Sequence, residues 1–319
     1  MENHYNFNGL SSFLQVFNDE NTCREFLTYI RWEGKPFCPH CKYEEKIYKF
    51  KNGKTYKCAK CKRDFTITVG TVFQNARIPL RKWFIAIYLF SSHKTGISSH
   101  QMSRHLEITQ RNAWVVLHKI RKVMDESKQF KEIFEGIIEC DETYVGAKNK
   151  NRHWDKKFKY SQGRSVVDKT PVFGILQRNG KVKVWTLNYL NGKHMRALIR
   201  SNVKKDSIVC TDEYRVYKGL DKRNHFKHYV IDHSKGQHAI DEIYHTNNIE
   251  GFWNVIKRSI MGTYRKVDKI YLNRYAKEAA YRYNTRKLND ADRFVELLRD
   301  SFNLKVTRKE LYLKNKIRE

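Results

Sequence analysis

Acidic residues are scarce: 34 Asp+Glu stand against 63 Lys+Arg in 319 residues, a formal net charge of +29. A surplus of that size points to a polyanionic partner, and counterion release makes nucleic acid the usual one. Prolines number only four, so the chain offers few marked breaks between elements. Long apolar runs are missing. The longest, WFIAIYLF from Trp83 to Phe90, falls far short of the ~20 residues a membrane span needs. The first twenty residues hold acids but no Lys or Arg, which excludes a signal peptide pattern. These absences predict a soluble cytoplasmic protein with no membrane partner. Cysteine is limited to seven, an odd count, and four of these form two CxxC pairs, which favours metal over disulfides. What remains, 40% hydrophobic and 13% aromatic residues, is the composition of a folded chain.

Cys38-Pro-His-Cys41 and Cys58-Ala-Lys-Cys61 are separated by sixteen residues. Two residues between cysteines let a tight turn aim both thiolates at one ion, and two such turns complete a tetrahedron. One structural Zn2+ is therefore expected on Cys38, Cys41, Cys58 and Cys61, with residues 36–69 forming short strands and turns around it. His40 lies inside the first knuckle, but four cysteines already fill the shell. Cys23, Cys140 and Cys210 sit in apolar patterns and read as core.

Helical spacing marks residues 8–35, a helix from Pro79 to about Ser92, and two further helices over 97–124. In that last stretch Ser98 or Ser99 can cap a short helix carrying Met102 and Leu106. After a turn at Glu107–Thr109, a longer helix carries Ala113, Val116, Leu117 and Ile120 on one face. The pattern is that of a helix-turn-helix. Gln110, Arg111, Asn112 and Lys119 lie off the apolar stripe and are the candidates for contact with double-stranded DNA.

From Phe134 the pattern changes to strands at 136–145, 171–178, 181–189, 207–212 and 228–232. A short helix is expected over 196–202, and longer ones over 247–260 and 271–283. Two of the strands are expected to end in an aspartate, Asp141 and Asp212, and Glu250 sits near the start of the 247–260 helix. Strand-end carboxylates with one helical glutamate are what two hard divalent ions, Mg2+ or Mn2+, require for phosphoryl chemistry. Lys257 follows Glu250 by seven residues on nearly the same helix face, placed to hold a DNA phosphate. Glu139 shares strand parity with Asp141 and reads as its neighbour, whereas Glu142 has the opposite parity and is expected outside the site. Trp253, Tyr214 and Tyr217 read as packing residues. The basic stretch 147–163 reads as a loop insertion.

With these residues in view the chain resembles bacterial insertion-sequence transposases of the DDE superfamily, in the branch with an N-terminal zinc ribbon and an ISXO-like catalytic domain. The resemblance covers about residues 10–288. It rests on CREFLTYIRWEGKPFCPHC, the second CxxC, ECDETYVG, TPVFGILQRNGKV, TDEYRVY, HTNNIEGFWNVIKRSIMGTYRKV and RYNTR. It implies a ribonuclease-H-like mixed α/β core in which Asp141, Asp212 and Glu250 match the acidic triad. His245 and Asn247 match the family's His and Asn ahead of the glutamate. Some relatives place an asparagine in the third role, which Asn247 or Asn248 would then fill. A carboxylate neutralises a divalent ion better than an amide does, which favours Glu250. The expected whole is a multidomain α+β protein: helices and zinc ribbon (1–70), helix-turn-helix region (71–130), DDE domain (131–288) and basic helical tail (289–319). The expected activity is metal-dependent cleavage and transfer of transposon ends by a homodimer or larger multimer on DNA. The rivals are a transcription regulator with a degenerate core and a ribonuclease-H-like nuclease without strand transfer.

Overall fold

The computed structural model describes residues 7–146, 149, 152–159, 165, 167–221, 225–232, 235 and 239–312. The basic 147–163 stretch thus lies partly, and the end of the tail from 313 wholly, outside the described residues. By contacts the chain divides into two compact units, one drawn from Met1–Ser127 with Lys287–Glu319, the other Lys128–Arg286.

In the first unit the expected helical region 8–35 is two helices, α1 (Leu10–Val16) and α2 (Glu20–Trp32). They break where Asp19 caps α2, its carboxylate accepting the Thr22 N–H at 2.8 Å. Three short antiparallel strands follow, β1 (Ile47–Lys49), β2 (Thr55–Cys58) and β3 (Asp64–Thr66), in the order β1-β2-β3. Tyr56 and Phe65 are cross-strand partners with stacked rings, and Trp32 from α2 meets both edge-on. Helix α3 (Leu80–Ser92) has no side-chain cap of its own at Pro79. Instead Glu20 accepts the backbone N–H groups of Leu80 and Arg81 at 2.9 and 3.0 Å, satisfying the helix start from 60 residues away. Next come α4 (Ser99–Leu106) and α5 (Gln110–Asp125), capped by Ser98 and Thr109 and joined through Glu107, which takes the left-handed conformation.

The second unit is built on a five-stranded sheet of β4 (Ile137–Gly146), β5 (Lys169–Gln177), β6 (Val182–Thr186), β7 (Ile208–Asp212) and β8 (Lys227–Ile231). Its order is β6-β5-β4-β7-β8, with β5 antiparallel to β4 and β6, and β4, β7 and β8 mutually parallel. Helix α6 (Gly192–Asn202) starts earlier than its apolar spacing suggests, because Asn191 caps it. Met195 and Ile199 of α6 pack with Ile138, Cys140, Phe173, Ile175 and Val209 on one face of the sheet. On the other face α7 (Asn247–Arg258) and α8 (Leu272–Asn284) cover Val172, Leu176, Val182 and Val184. Alternation along β4 therefore decides which side chains meet which helix. Among the described residues no helix is long and apolar enough to cross a membrane.

The segment expected as a basic helical tail is helical where described, and its first helix is part of the first unit's core. Helix α9 (Asp290–Asp300) returns to the first unit, where Phe294 is buried among Phe7, Phe13, Phe17, Phe26, Phe84 and Tyr88. Net basic composition concealed the apolar stripe Phe294, Leu297, Leu298, all buried. Phe294→Ala is expected to destabilise this unit by about 3–5 kcal/mol. Urea unfolding measures this, and an unchanged midpoint would mean the segment is dispensable to the core.

Candidate metal centres

The four Sγ atoms of Cys38, Cys41, Cys58 and Cys61 lie within 4.8 Å of one another. The pairs Cys38–Cys61 and Cys41–Cys58 are 3.6 Å apart. A Zn–S bond of ~2.3 Å gives a tetrahedron with edges of ~3.8 Å, so the cluster fits a zinc ion. The two knuckles are the same turn built twice. Lys42 and Lys62 both take positive φ, 61° and 59°, and donate their N–H to the carbonyls of Cys38 and Cys58 at 2.8 and 3.0 Å. His40 is exposed and outside the cluster.

At the other centre the β4–β7 ladder ends at the pair Glu139–Cys210, and two residues further along each strand stand Asp141 and Asp212. The carboxylates of Asp141, Asp212 and Glu142 come within 4.8 Å of one another. Glu142 was expected outside the site, and the structure corrects that. Its parity does turn it to the α6 face, but past the last β4–β7 pair β4 stays laddered only to β5, and its β7 side is unpaired. There the buried hydroxyl of Tyr217 donates to Glu142 Oε2 at 2.8 Å. Asp212 Oδ1 accepts the Tyr214 N–H at 3.1 Å. Burial pushes the Asp141 carboxyl up to about 6; the Trp253 indole N–H opposes this, and the charges of Asp212 and Glu250 reinforce it. Burial, then the charge of Glu142, holds the Tyr217 phenol well above its usual range. Converging hard oxygens on buried (Glu142, Asp212) and half-buried (Asp141) side chains suit a divalent cation.

Glu250 stands in the first turn of α7, exposed, and accepts the Thr246 hydroxyl at 3.1 Å. It lies outside the three-carboxylate group, although its charge reaches Asp141. What seats α7 is Glu139. This fully buried carboxylate accepts the N–H of Asn248 and Ile249 at 3.0 and 3.1 Å, the Asn248 amide at 2.8 Å, and Arg178 Nε and Nη2 at 3.1 and 2.9 Å. A remote anion thus occupies the helix N-terminus, where Thr246 supplies no cap. His245 Nδ1 lies 3.5 Å from Glu139 and 3.3 Å from Arg178, so His245 belongs to this anchor. Asn247 and Lys257 are exposed on α7.

Arg178 was not singled out from sequence, and only its place in the quoted TPVFGILQRNGKV run hinted at it. Trp253 is core, as expected, but it also donates its indole N–H to Asp141 Oδ2 at 2.8 Å. Opposite Asp141 in β5 is Gly174, where a β-carbon would sit 2.6 Å from Trp253 Cη2.

On α5, Gln110, Arg111 and Asn112 are exposed at the N-terminal end. Lys119 is not a surface residue. It is buried, its ammonium donates to the Val72 carbonyl at 2.9 Å, and burial lowers its pKa. Its methylene stem follows the apolar stripe inward to a backbone acceptor, an arrangement that helical spacing does not reveal.

Residues 133–284 match the ISXO2-like transposase domain, and residues 18–64 match a transposase zinc-ribbon domain. A protein of transposable element ISH50 from Halobacterium salinarum is 27% identical over 271 residues, covering 82% of this chain and 90% of the relative. A transposase-like protein of Haemophilus influenzae is 36% identical over 110 residues, covering 34% of this chain and 86% of its own length.

Proposed function

We propose, for a chain that belongs to the DDE insertion-sequence transposases with a zinc ribbon ahead of an ISXO2-like domain, that it binds the terminal repeats of its element and catalyses metal-dependent DNA cleavage and strand transfer. The observation that carries this reading is the convergence of Asp141, in the middle of β4 rather than at the strand end expected from sequence, with Asp212 at the end of the neighbouring parallel strand β7, beside a helix that presents Glu250. The sheet order with β5 reversed supports a ribonuclease-H-like core. Two Mg2+ or Mn2+ ions held by Asp141, Asp212 and Glu250 would supply an activated water or 3′-hydroxyl and neutralise charge on the leaving oxygen. Lys257, exposed two turns beyond Glu250, would hold a phosphate of the strand being cut. Glu139, Arg178 and His245 keep α7 against β4, so that Glu250 and Lys257 approach the DNA from a fixed helix.

The net charge of +29 draws the polyanion to the protein. Helices α4 and α5, with Gln110, Arg111 and Asn112 exposed at the start of α5, support a helix-turn-helix reading of the terminal repeat. Pairing two transposon ends calls for at least a dimer. Poised carboxylates have no use in a transcription regulator. The test is incubation with terminal-repeat DNA and Mg2+, where nicked ends and joined products are expected. Cutting without joining would make the protein a nuclease, and no cutting would sink the reading.

Arg111→Ala is expected to weaken terminal-repeat binding by about 1–3 kcal/mol. Lys119→Met should leave DNA affinity unchanged, because that ammonium is inside the unit. Fluorescence anisotropy at fixed salt compares the two; equal losses would refute this assignment of the helix face.

A further inference from the structure

We infer that Trp253 is a positioning residue for cation binding: its indole N–H holds one oxygen of Asp141 and so orients the rest of that carboxylate toward the cation. The inference rests on the reading of Asp141 as a metal ligand. The donor lies 2.8 Å from Oδ2, and Trp253 is 3% exposed. An indole N–H donates only, so it competes for no cation while it fixes the carboxylate's orientation.

The surroundings are built around this contact. Gly174 pairs with Asp141 across β4 and β5, and the indole lies over it. A β-carbon there would stand 2.6 Å from Cη2 and 2.9 Å from Cζ2 of Trp253, and 3.1 Å from Ile249 Cδ1. Any larger residue displaces the ring. The helix that carries Trp253 is itself registered on the same strand face, because Glu139, two residues before Asp141, takes the N–H groups of Asn248 and Ile249. One face of β4 thus holds α7 at two points, first by its backbone and then by its indole. Apolar packing alone would be served equally by phenylalanine. The N–H is what distinguishes tryptophan here, an apolar body with one polar tip directed at the half-buried Asp141 carboxylate.

Partners that orient a ligating carboxylate typically contribute ~10–100-fold to metal affinity. The test is titration of the zinc-loaded, full-length protein with Mn2+, read by electron paramagnetic resonance of the free ion. Trp253→Phe is expected to stay folded and to bind DNA as the wild type does while binding Mn2+ ~10–100-fold more weakly. Gly174→Ala, which keeps the indole but displaces it, is expected to weaken Mn2+ binding similarly. The double variant should be no weaker than Trp253→Phe alone, because without the indole ring there is less for the new methyl to displace. Asp141→Asn should lose the site. If Asp141→Asn loses Mn2+ while a folded Trp253→Phe or Gly174→Ala binds it as the wild type does, the positioning role is overturned and the metal reading stands. If Asp141→Asn binds Mn2+ normally, the metal reading itself falls and takes this inference with it.

Discussion

Asp141→Asn and Asp212→Asn are expected to leave a folded, DNA-binding protein that cleaves terminal-repeat DNA about 10³-fold or more slowly in Mg2+. The substitution is nearly isosteric. An asparagine amide oxygen at 141 can still accept the Trp253 N–H, so the packing of α7 on the sheet survives while the charge is removed. Stability provides a second readout. Burial raises the Asp141 carboxyl in the folded chain to about 6, above the unfolded value of 3.8, so the folded state holds that proton more tightly. The resulting stabilisation is complete below 3.8 and is lost as the pH rises through about 6. In the presence of chelator, Asp141→Asn should therefore melt no lower than the wild type at neutral pH and lack this part of the pH dependence. Cleavage at the wild-type rate by either variant would remove these residues from the chemistry.

Cys58→Ser is expected to lose stoichiometric zinc and to unfold the ribbon. Strands β1 to β3 are three or four residues long, and a sheet of that size has little stability of its own. Its aromatic core is confined to Trp32, Tyr56 and Phe65, with Phe37 at the edge. Metal binding in small zinc modules supplies about 10–16 kcal/mol, far more than that cluster can. Zinc content by chelator assay should fall to none per chain, and hydrogen exchange should lose protection over 36–69 while β4–β8 keep theirs. Retained stoichiometric zinc would refute the four-cysteine assignment.

Most elements were legible because their signals are local. The five strands of the second unit fall within two or three residues of their expected limits. Thr109 caps the helix it was expected to cap, and of the two serines expected at the start of α4 it is Ser98 that does so. The errors share a different origin. The strand parity of Glu142 was read correctly, but parity cannot tell where a neighbouring strand stops accompanying it. Lys119 lies off the apolar stripe by spacing, yet the Val72 carbonyl, 47 residues earlier in the chain, takes its ammonium. Residues 289–319 look like a basic tail until Phe294 finds the aromatic cluster assembled by α1, α2 and α3.

The sequence by itself determined the thiolate knuckles, the two strand-borne aspartates, the helix bearing Glu250 and the charge that attracts a polyanion. Each of these depends on residue type and short spacing, which the chain carries wherever it folds. Only the tertiary structure decided that Glu142 joins Asp141 and Asp212, that Glu139 closes the start of α7, and that Trp253 donates to Asp141 across Gly174. Apart from the neighbours Asp141 and Glu142, those contacts join residues 70 or more positions apart, and they exist only once the β4–β7 ladder ends and α7 settles on the sheet. Chemistry was legible as composition along the strands, but the orientation of Glu139, Asp141 and Glu142 depended on which distant donors packing brought to 2.8–3.0 Å.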